Sequence, residues 1–203
     1  MLSFALAVFL LMITPGPGVL SIAAVGSGFG LRRGLRYMAG LLMGSNIVAI
    51  AVMTGAAAVI LAEPVLRFVL SGLAALYLLW LAVRIASSAG RTQFSAATRA
   101  PGPIDGILLQ LVNPKAYLVY LALFSGFAFL PEAPLQEGLI KLVLINLVWL
   151  PIHLAWLGLG IGLRRLAPSP TQQRRISLAM AIALVLAVVL SFGAQLPRSL
   201  LAG

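Results

Sequence analysis

Charge and apolarity are segregated along this chain in long blocks. Residues 1–31, 37–62, 142–163 and 176–197 contain no Asp, Glu, Lys or Arg. Each block is long enough for a helix to cross the hydrocarbon core, which takes roughly 20 mostly apolar residues. Two further apolar stretches carry ionisable side chains. Residues 64–87 hold Arg67 and Arg84 near their ends, where long side chains can reach the headgroups. Residues 104–130 hold Asp105 at the start and Lys115 well inside. The pattern predicts six transmembrane helices, near 2–25, 36–61, 65–87, 104–129, 138–162 and 175–196. A cleaved signal peptide fits the first poorly: no Lys or Arg precedes it, the apolar run is too long, and Pro15-Gly16-Pro17-Gly18 has no place in a cleavage signal.

Composition agrees with that reading. Of 203 residues, 62% are hydrophobic and 9% charged, with mean hydropathy +1.10, too few charges to coat a soluble core. A disordered chain, a disulfide scaffold and a soluble enzyme are excluded, and with no cysteine so are thiolate metal sites. The net charge of +10 points to orientation in a membrane rather than to nucleic acid, because the basic residues sit in short groups between apolar runs. The first, third and fifth connections carry Arg32, Arg33, Arg36, Arg84, Arg91, Arg99, Arg164, Arg165, Arg174 and Arg175, against Arg67, Lys141 and Arg198 on the other side. That bias places both termini outside the cytoplasm. The pairs Arg32-Arg33 and Arg164-Arg165 can also meet anionic lipid headgroups.

The connection from Ser87 to Pro103 is rich in Ser, Ala, Thr and Gly and divides the chain at its midpoint. The chain therefore reads as one transmembrane domain, 1–203, with repeat one at 1–87, a cytoplasmic linker at 88–103 and repeat two at 104–203. Three spans in each half make the second half enter from the opposite face, an inverted repeat. Folds of this kind carry broken helices at matching positions and bind substrate between them. Thr14-Pro15-Gly16-Pro17-Gly18 interrupts the first helix of one half and Asn113-Pro114-Lys115 that of the other. Pro15 and Pro114 lie 99 residues apart, and Asn46 and Asn146, each in a second helix, 100 apart.

Proline lacks an N–H, so Pro15 and Pro17 leave the carbonyls of Leu11 and Ile13 without helical donors, and Pro114 does so for Gln110. At about 1.5 Å per residue, Pro15 lies about 20 Å and Lys115 about 17 Å into their spans. Backbone groups freed at that depth need protein or a wet cavity to meet them, so the two breaks are expected to face each other. The helix restarting after Gly18 would direct amides and a positive dipole end at an anion such as a carboxylate. Lys115, costly at the bilayer centre, is expected either to bond the freed carbonyls or to bind a substrate carboxylate and carry a proton.

The expected substrate-binding set is Thr14, Pro15, Gly16, Pro17, Gly18, Asn46, Asn113, Pro114, Lys115 and Asn146, with Lys115 and His153 as proton-coupling candidates. Residues 146, 149, 150 and 153 share a helical stripe that would face the cavity. Tyr117 and Tyr120 stand beside Lys115, and Asp105, Glu63, Glu132 and Glu137 look like interface residues at span ends. Gly40-x-x-x-Gly44 and Gly158-x-x-x-Gly162 permit close helix packing within the chain, or alternatively a homodimer. No catalytic constellation, metal site or cofactor motif is expected.

The chain resembles the LysE/RhtB family of bacterial amino-acid exporters over essentially its full length. The resemblance rests on four ordered pieces: Thr14-Pro15-Gly16-Pro17; Gly30-Leu31-Arg32-Arg33-Gly34 with Gly40 and Gly44; Gly72 through Leu81; and Gly106 with Leu111-Val112-Asn113-Pro114-Lys115-Ala116. It implies an inner-membrane secondary transporter that exports amino acids or close derivatives, with proton antiport as the usual proposal. The family usually has Asn where this chain has Gly18, and Ser125 to Pro131 fits its pattern loosely. A passive channel and metal or cation efflux are the competing functions. One histidine and no cysteine disfavour metal efflux, and a channel could not be driven uphill by a pH gradient.

Overall fold

The computed structural model describes residues 2–57, 62–88 and 100–166, with isolated positions between 169 and 186. The linker residues 89–99 and the expected sixth span, 175–196, fall outside the continuously described stretches. Every regular element among the described residues is an α-helix: α1 (Leu2–Ile13), α2 (Pro17–Met53), α3 (Pro64–Ser88), α4 (Pro103–Val112), α5 (Pro114–Ser125) and α6 (Pro134–Arg165). All but the first begin on proline. Proline suits the first helical position because its fixed φ is already helical and its missing N–H would have had no partner there. Proline alone does not stop a helix in this chain, since Pro151 sits inside α6.

The expected first and fourth spans are each two helices. α1 ends at Ile13 and α2 starts at Pro17, with Gly16 extended at φ −163° between them. α4 and α5 meet at Asn113 with a bend of 67°. The expected connection between the first two spans is much shorter than the apolar pattern suggests: α2 runs from Pro17 to Met53, interrupted at Gly30 (φ 77°, ψ −176°). An L side chain is strained at that φ, so glycine lets the chain change direction within one residue. α2, including its Gly30 break, and Pro134–Leu163 are long and apolar enough to cross a bilayer, and the bent α4–α5 pair makes a third such element.

α2 is the central helix and packs chiefly against α6 and α4. Its first turns, from Pro17 to Ser27, are almost wholly buried. Glycines make this possible by bringing backbones together. A Cβ on Gly40 would collide with the Pro103 carbonyl, one on Gly44 would lie 2.9 Å from the Ile107 carbonyl, and one on Gly106 2.6 Å from the Tyr37 carbonyl. Gly40-x-x-x-Gly44 is therefore an intrachain contact with α4. On α6 the contact glycine is Gly160, against the Ala23 carbonyl, while Gly158 and Gly162 have open space around them.

Two buried clusters follow. Ile22, Tyr37, Leu41, Leu78, Leu109 and Trp149 belong to one; Phe4, Val8, Tyr120, Leu123 and Ile145 belong to the other. The outside of the bundle is apolar as well, with Leu6, Leu10, Leu76, Leu118, Val143 and Leu147 all exposed. A surface of that kind belongs in lipid. The chain is a multi-pass membrane protein.

Gly40→Ala should lower the thermal unfolding temperature in detergent, because opening the α2–α4 contact is an overpacking defect of about 1–3 kcal/mol. Gly158→Ala should leave it unchanged or raise it slightly, since helical Ala is better than Gly by about 0.5–1 kcal/mol. Equal shifts for the two variants would contradict the packing described here.

Candidate functional site

The two breaks meet. Lys115, in the first turn of α5, extends its ammonium to the Thr14 carbonyl at 2.8 Å and the Pro15 carbonyl at 3.4 Å. Gly16 makes room for it: a Cβ there would lie 2.9 Å from both Cδ and Nζ of Lys115. The Thr14 hydroxyl turns back and donates to the Leu10 carbonyl at 2.6 Å. In α2 the first helical bond is Leu20 N–H to the Gly16 carbonyl at 3.0 Å. The amides of Gly18 and Val19 thus have no acceptor within the helix and lie at its positive end.

The second break is held by side chains. The Asn113 Oδ1 accepts the Lys115 backbone N–H at 3.1 Å, capping α5. Its Nδ2 donates to Gln110 Oε1 at 3.0 Å, and Gln110 Nε2 donates to the Ser45 hydroxyl on α2. Gln110, Asn113 and Ser45 are all buried, and each finds a partner in this chain of bonds. The Gln110 carbonyl accepts from the Asn113 N–H at 3.2 Å. The Tyr117 hydroxyl donates to the Leu111 carbonyl at 2.8 Å, so Tyr117 serves the break, whereas Tyr120 lines the space beside it.

That space is a cavity of about 60 Å³ bounded by Gly16, Gly18, Gln110, Lys115, Tyr120 and His153, with Leu11, Met12 and Val119 as apolar wall. It is large enough for a few waters. His153 is buried and stacks on the Trp149 ring at 3.6 Å between centroids, while its Nδ1 lies 2.9 Å from the Trp149 carbonyl. A carbonyl only accepts, so Nδ1 carries the proton and Nε2 is left facing the cavity. A Cβ on Gly18 would stand 3.8 Å from that Nε2 and 3.7 Å from Gln110 Oε1. The lining includes no carboxylate. An ammonium and the positive ends of two helices converge on one small space, an arrangement with the chemistry to accept an anion.

Of the residues expected at the site, the structure gathers Thr14, Gly16, Pro17, Gly18, Asn113, Lys115 and His153 around this cavity. Pro15 contributes its carbonyl, and Pro114 starts α5. Asn46 and Asn146 lie elsewhere. Each donates to the other's Oδ1, at 3.0 and 2.8 Å, and each also donates to the carbonyl four residues back, both at 2.9 Å. The stripe on α6 divides: Trp149 and His153 face the cavity, Asn146 faces Asn46, and Leu150 is 42% exposed on the outside. Gln110 and Ser45 were missed as site residues. The available signal was their polarity within apolar spans, but which partner each would find was a question of tertiary contact.

Two residues assigned to span ends or connections are inside the protein. Lys141, counted with an outer connection, is 1% exposed, and Glu137, expected at an interface, is buried beside it with 2.6 Å between Nζ and Oε1. They are four apart on α6, so they share a helical face, and the loop after α5 folds over them. Asp105 closes the start of α4 by accepting the Gly102 N–H at 2.6 Å. Glu63 and Glu132 are exposed. Among the described residues no three metal-ligating side chains converge.

Comparison with known proteins now adds a family. The chain is 32% identical to a leucine efflux protein of Enterobacter sp. (strain 638) over 130 residues, 62% of each chain. It is 27% identical to a cysteine/O-acetylserine efflux protein of Salmonella choleraesuis over 84% of this chain and 87% of that one. An uncharacterized membrane protein of Pseudomonas aeruginosa is 29% identical over 75% of this chain and 80% of its own. No solved structure matches the chain. Residues 9–199 match the family model described as LysE type translocator, and the chain therefore belongs to the LysE type translocator family.

Proposed function

We propose that this protein exports a small neutral amino acid from the bacterial cytoplasm across the inner membrane, driven by proton antiport. The observation that carries the reading is the meeting of the Lys115 ammonium and the N-terminus of α2 at one cavity between the breaks. Lys115 rests on the carbonyls of Thr14 and Pro15 while the amide end of α2 opens onto the same cavity. A substrate carboxylate would take the ammonium from these carbonyls and accept from the Gly18 and Val19 amides. The substrate ammonium would in turn meet the carbonyls that Lys115 had left. A zwitterion brings no net charge, so binding leaves the charge of the site as Lys115 sets it, while giving the ammonium an anionic partner in a medium where an unpaired ion is costly. The apolar wall of Leu11, Met12 and Val119 suits an aliphatic side chain, and the relatives named for leucine and for cysteine/O-acetylserine efflux support a neutral substrate. With about 60 Å³, well below the 300–1,000 Å³ usual for ligand pockets, the cavity must widen to admit it. Lys115 and His153 are the groups proposed to couple transport to protons.

The proposed frame is six spans in two inverted repeats with both termini periplasmic. The reciprocal Asn46–Asn146 pair, each residue bonded alike to its own helix, supports a two-fold relation between the halves. So does the opposition of the Pro15 and Pro114 breaks.

Uptake by inverted membrane vesicles, whose outer face is cytoplasmic, tests the function. With an imposed pH gradient, vesicles should accumulate one or a few neutral amino acids from a complete mixture. Lys115→Ala should reduce the initial rate by about tenfold or more, equivalent to losing about 1.4 kcal/mol or more of transition-state stabilisation, at unchanged protein content in the membrane. Gly16→Ala should also impair uptake by displacing the lysine. Wild-type rates in Lys115→Ala would remove that residue from the substrate path.

Gly18→Asn should change which amino acids are accumulated more than it changes stability. A side chain there would start in van der Waals contact with Gln110 and His153 without a clash. An unaltered substrate profile would mean that substrate does not reach position 18.

A further inference from the structure

A second, larger hollow lies farther along the same helices. Its volume is about 400 Å³, within the range of small-ligand sites, and it is lined by Val52 and Met53 at the end of α2, Leu121 and Phe124 on α5, and Glu137 and Lys141 on α6. The order of the two cavities is the same on both helices of repeat two. On α5, Lys115 and Val119 line the first and Leu121, Phe124 and Ser125 the second. On α6, His153 and Trp149 line the first and Lys141 and Glu137 the second. At about 1.5 Å per residue, the eight residues from Trp149 to Lys141 separate them by about 12 Å. Buried Val8, Tyr120, Leu123 and Ile145 belong to the cluster packed in this region.

The polar end of this hollow is the Glu137–Lys141 pair. Lys141 Nζ also donates to the Phe124 carbonyl at 3.0 Å and lies 5.9 and 5.5 Å from the ring centroids of Phe4 and Phe129. Glu137 Oε2 accepts from the backbone N–H of Phe129, at 2.9 Å, and of Leu130. A buried ion pair is weak support for stability, because well-packed apolar residues serve as well or better. Although Lys141 is 1% and Glu137 7% exposed, both line this unfilled space, whose walls are otherwise largely apolar.

We infer that the Glu137–Lys141 hollow is a second binding site for a zwitterionic amino acid, a way station between the central cavity and the far end of the bundle. The carboxylate of the ligand pairs with Lys141 and its ammonium with Glu137, so one ion pair becomes two without a change in net charge. Its side chain lies against Val52, Leu121 and Phe124. The inference rests on the amino-acid reading proposed above and extends it from one site to two in series.

Equilibrium dialysis of the purified full-length protein against radiolabelled L-leucine tests it. The wild type should bind two molecules per chain. Lys141→Met should bind one, and so should Ala128→Trp, which fills the hollow from the loop and leaves the ion pair in place; Lys115→Ala should bind one, at the outer site. Ligands lacking either charge, 3-methylbutylamine and 4-methylpentanoate, should not displace leucine from the outer site, isolated in Lys115→Ala. One leucine per wild-type chain, lost in Lys115→Ala and kept in Lys141→Met and Ala128→Trp, would overturn the second site and leave the central one standing. One per chain, lost in Ala128→Trp and unaffected by Lys115→Ala, would keep the outer site and overturn the central reading. No leucine bound by the wild type would overturn both.

Discussion

The structure turns on a helical backbone that is cut open within otherwise apolar spans. Two prolines in one span and one in another interrupt the helical ladder, and carbonyls at the interruptions need donors. The protein supplies donors from the opposite break and from its own side chains. Lys115 reaches across to Thr14 and Pro15, Tyr117 reaches back to Leu111, and Asn113 both caps α5 and ties it to Gln110. These bonds bring two sequence-distant breaks into one site. The same bonds bear on the proposed binding of an anion. The ammonium is placed against neutral carbonyls rather than against a carboxylate, so a competing anion has something to gain there.

Close backbone packing is the second requirement, and it is met by glycine. α2 can bury its broken end only because Gly40, Gly44, Gly106 and Gly160 let carbonyls of neighbouring helices approach within distances that a Cβ would block. Gly30 does a different task, supplying a positive φ where α2 changes direction. A helix that carries the cavity along its first turns is thereby held rigidly between α4 and α6, while α1, exposed along much of its length, is held at one end by Lys115 and at the other by the aromatic contacts of Phe4 with Phe127 and Phe129.

Much of this was legible in the residues taken in order. The blocks of apolar sequence determined a membrane protein, because no other solvent accommodates so few charges. That α2 to α6 all begin on proline emerged from the structure, although that residue suits a first turn and disrupts a later one. Thr14-Pro15-Gly16-Pro17 and Asn113-Pro114 marked the breaks, because proline beside glycine or a capping asparagine offers the chain an alternative to continuing; Pro151 has neither beside it, and α6 runs on. Lys115 stood out because an ammonium inside a span needs a reason.

Tertiary structure decided the pairings. Lys115 could have met a substrate or a carbonyl, and only the approach of α1 put Thr14 and Pro15 within its reach. Asn46 and Asn146 had suitable spacing for a site, yet the crossing of α2 and α6 turned them toward each other. Glu137 and Lys141 read as boundary residues because local sequence around them is ordinary, and the loop from α5 folded over them instead. Gln110 and Ser45 are 65 residues apart, and the glycine contact of α4 with α2 is what joins them. The difference is physical: solvent preference and backbone capacity are properties of residues and their immediate neighbours, whereas the satisfaction of a buried polar group depends on which distant segment the packing brings to it.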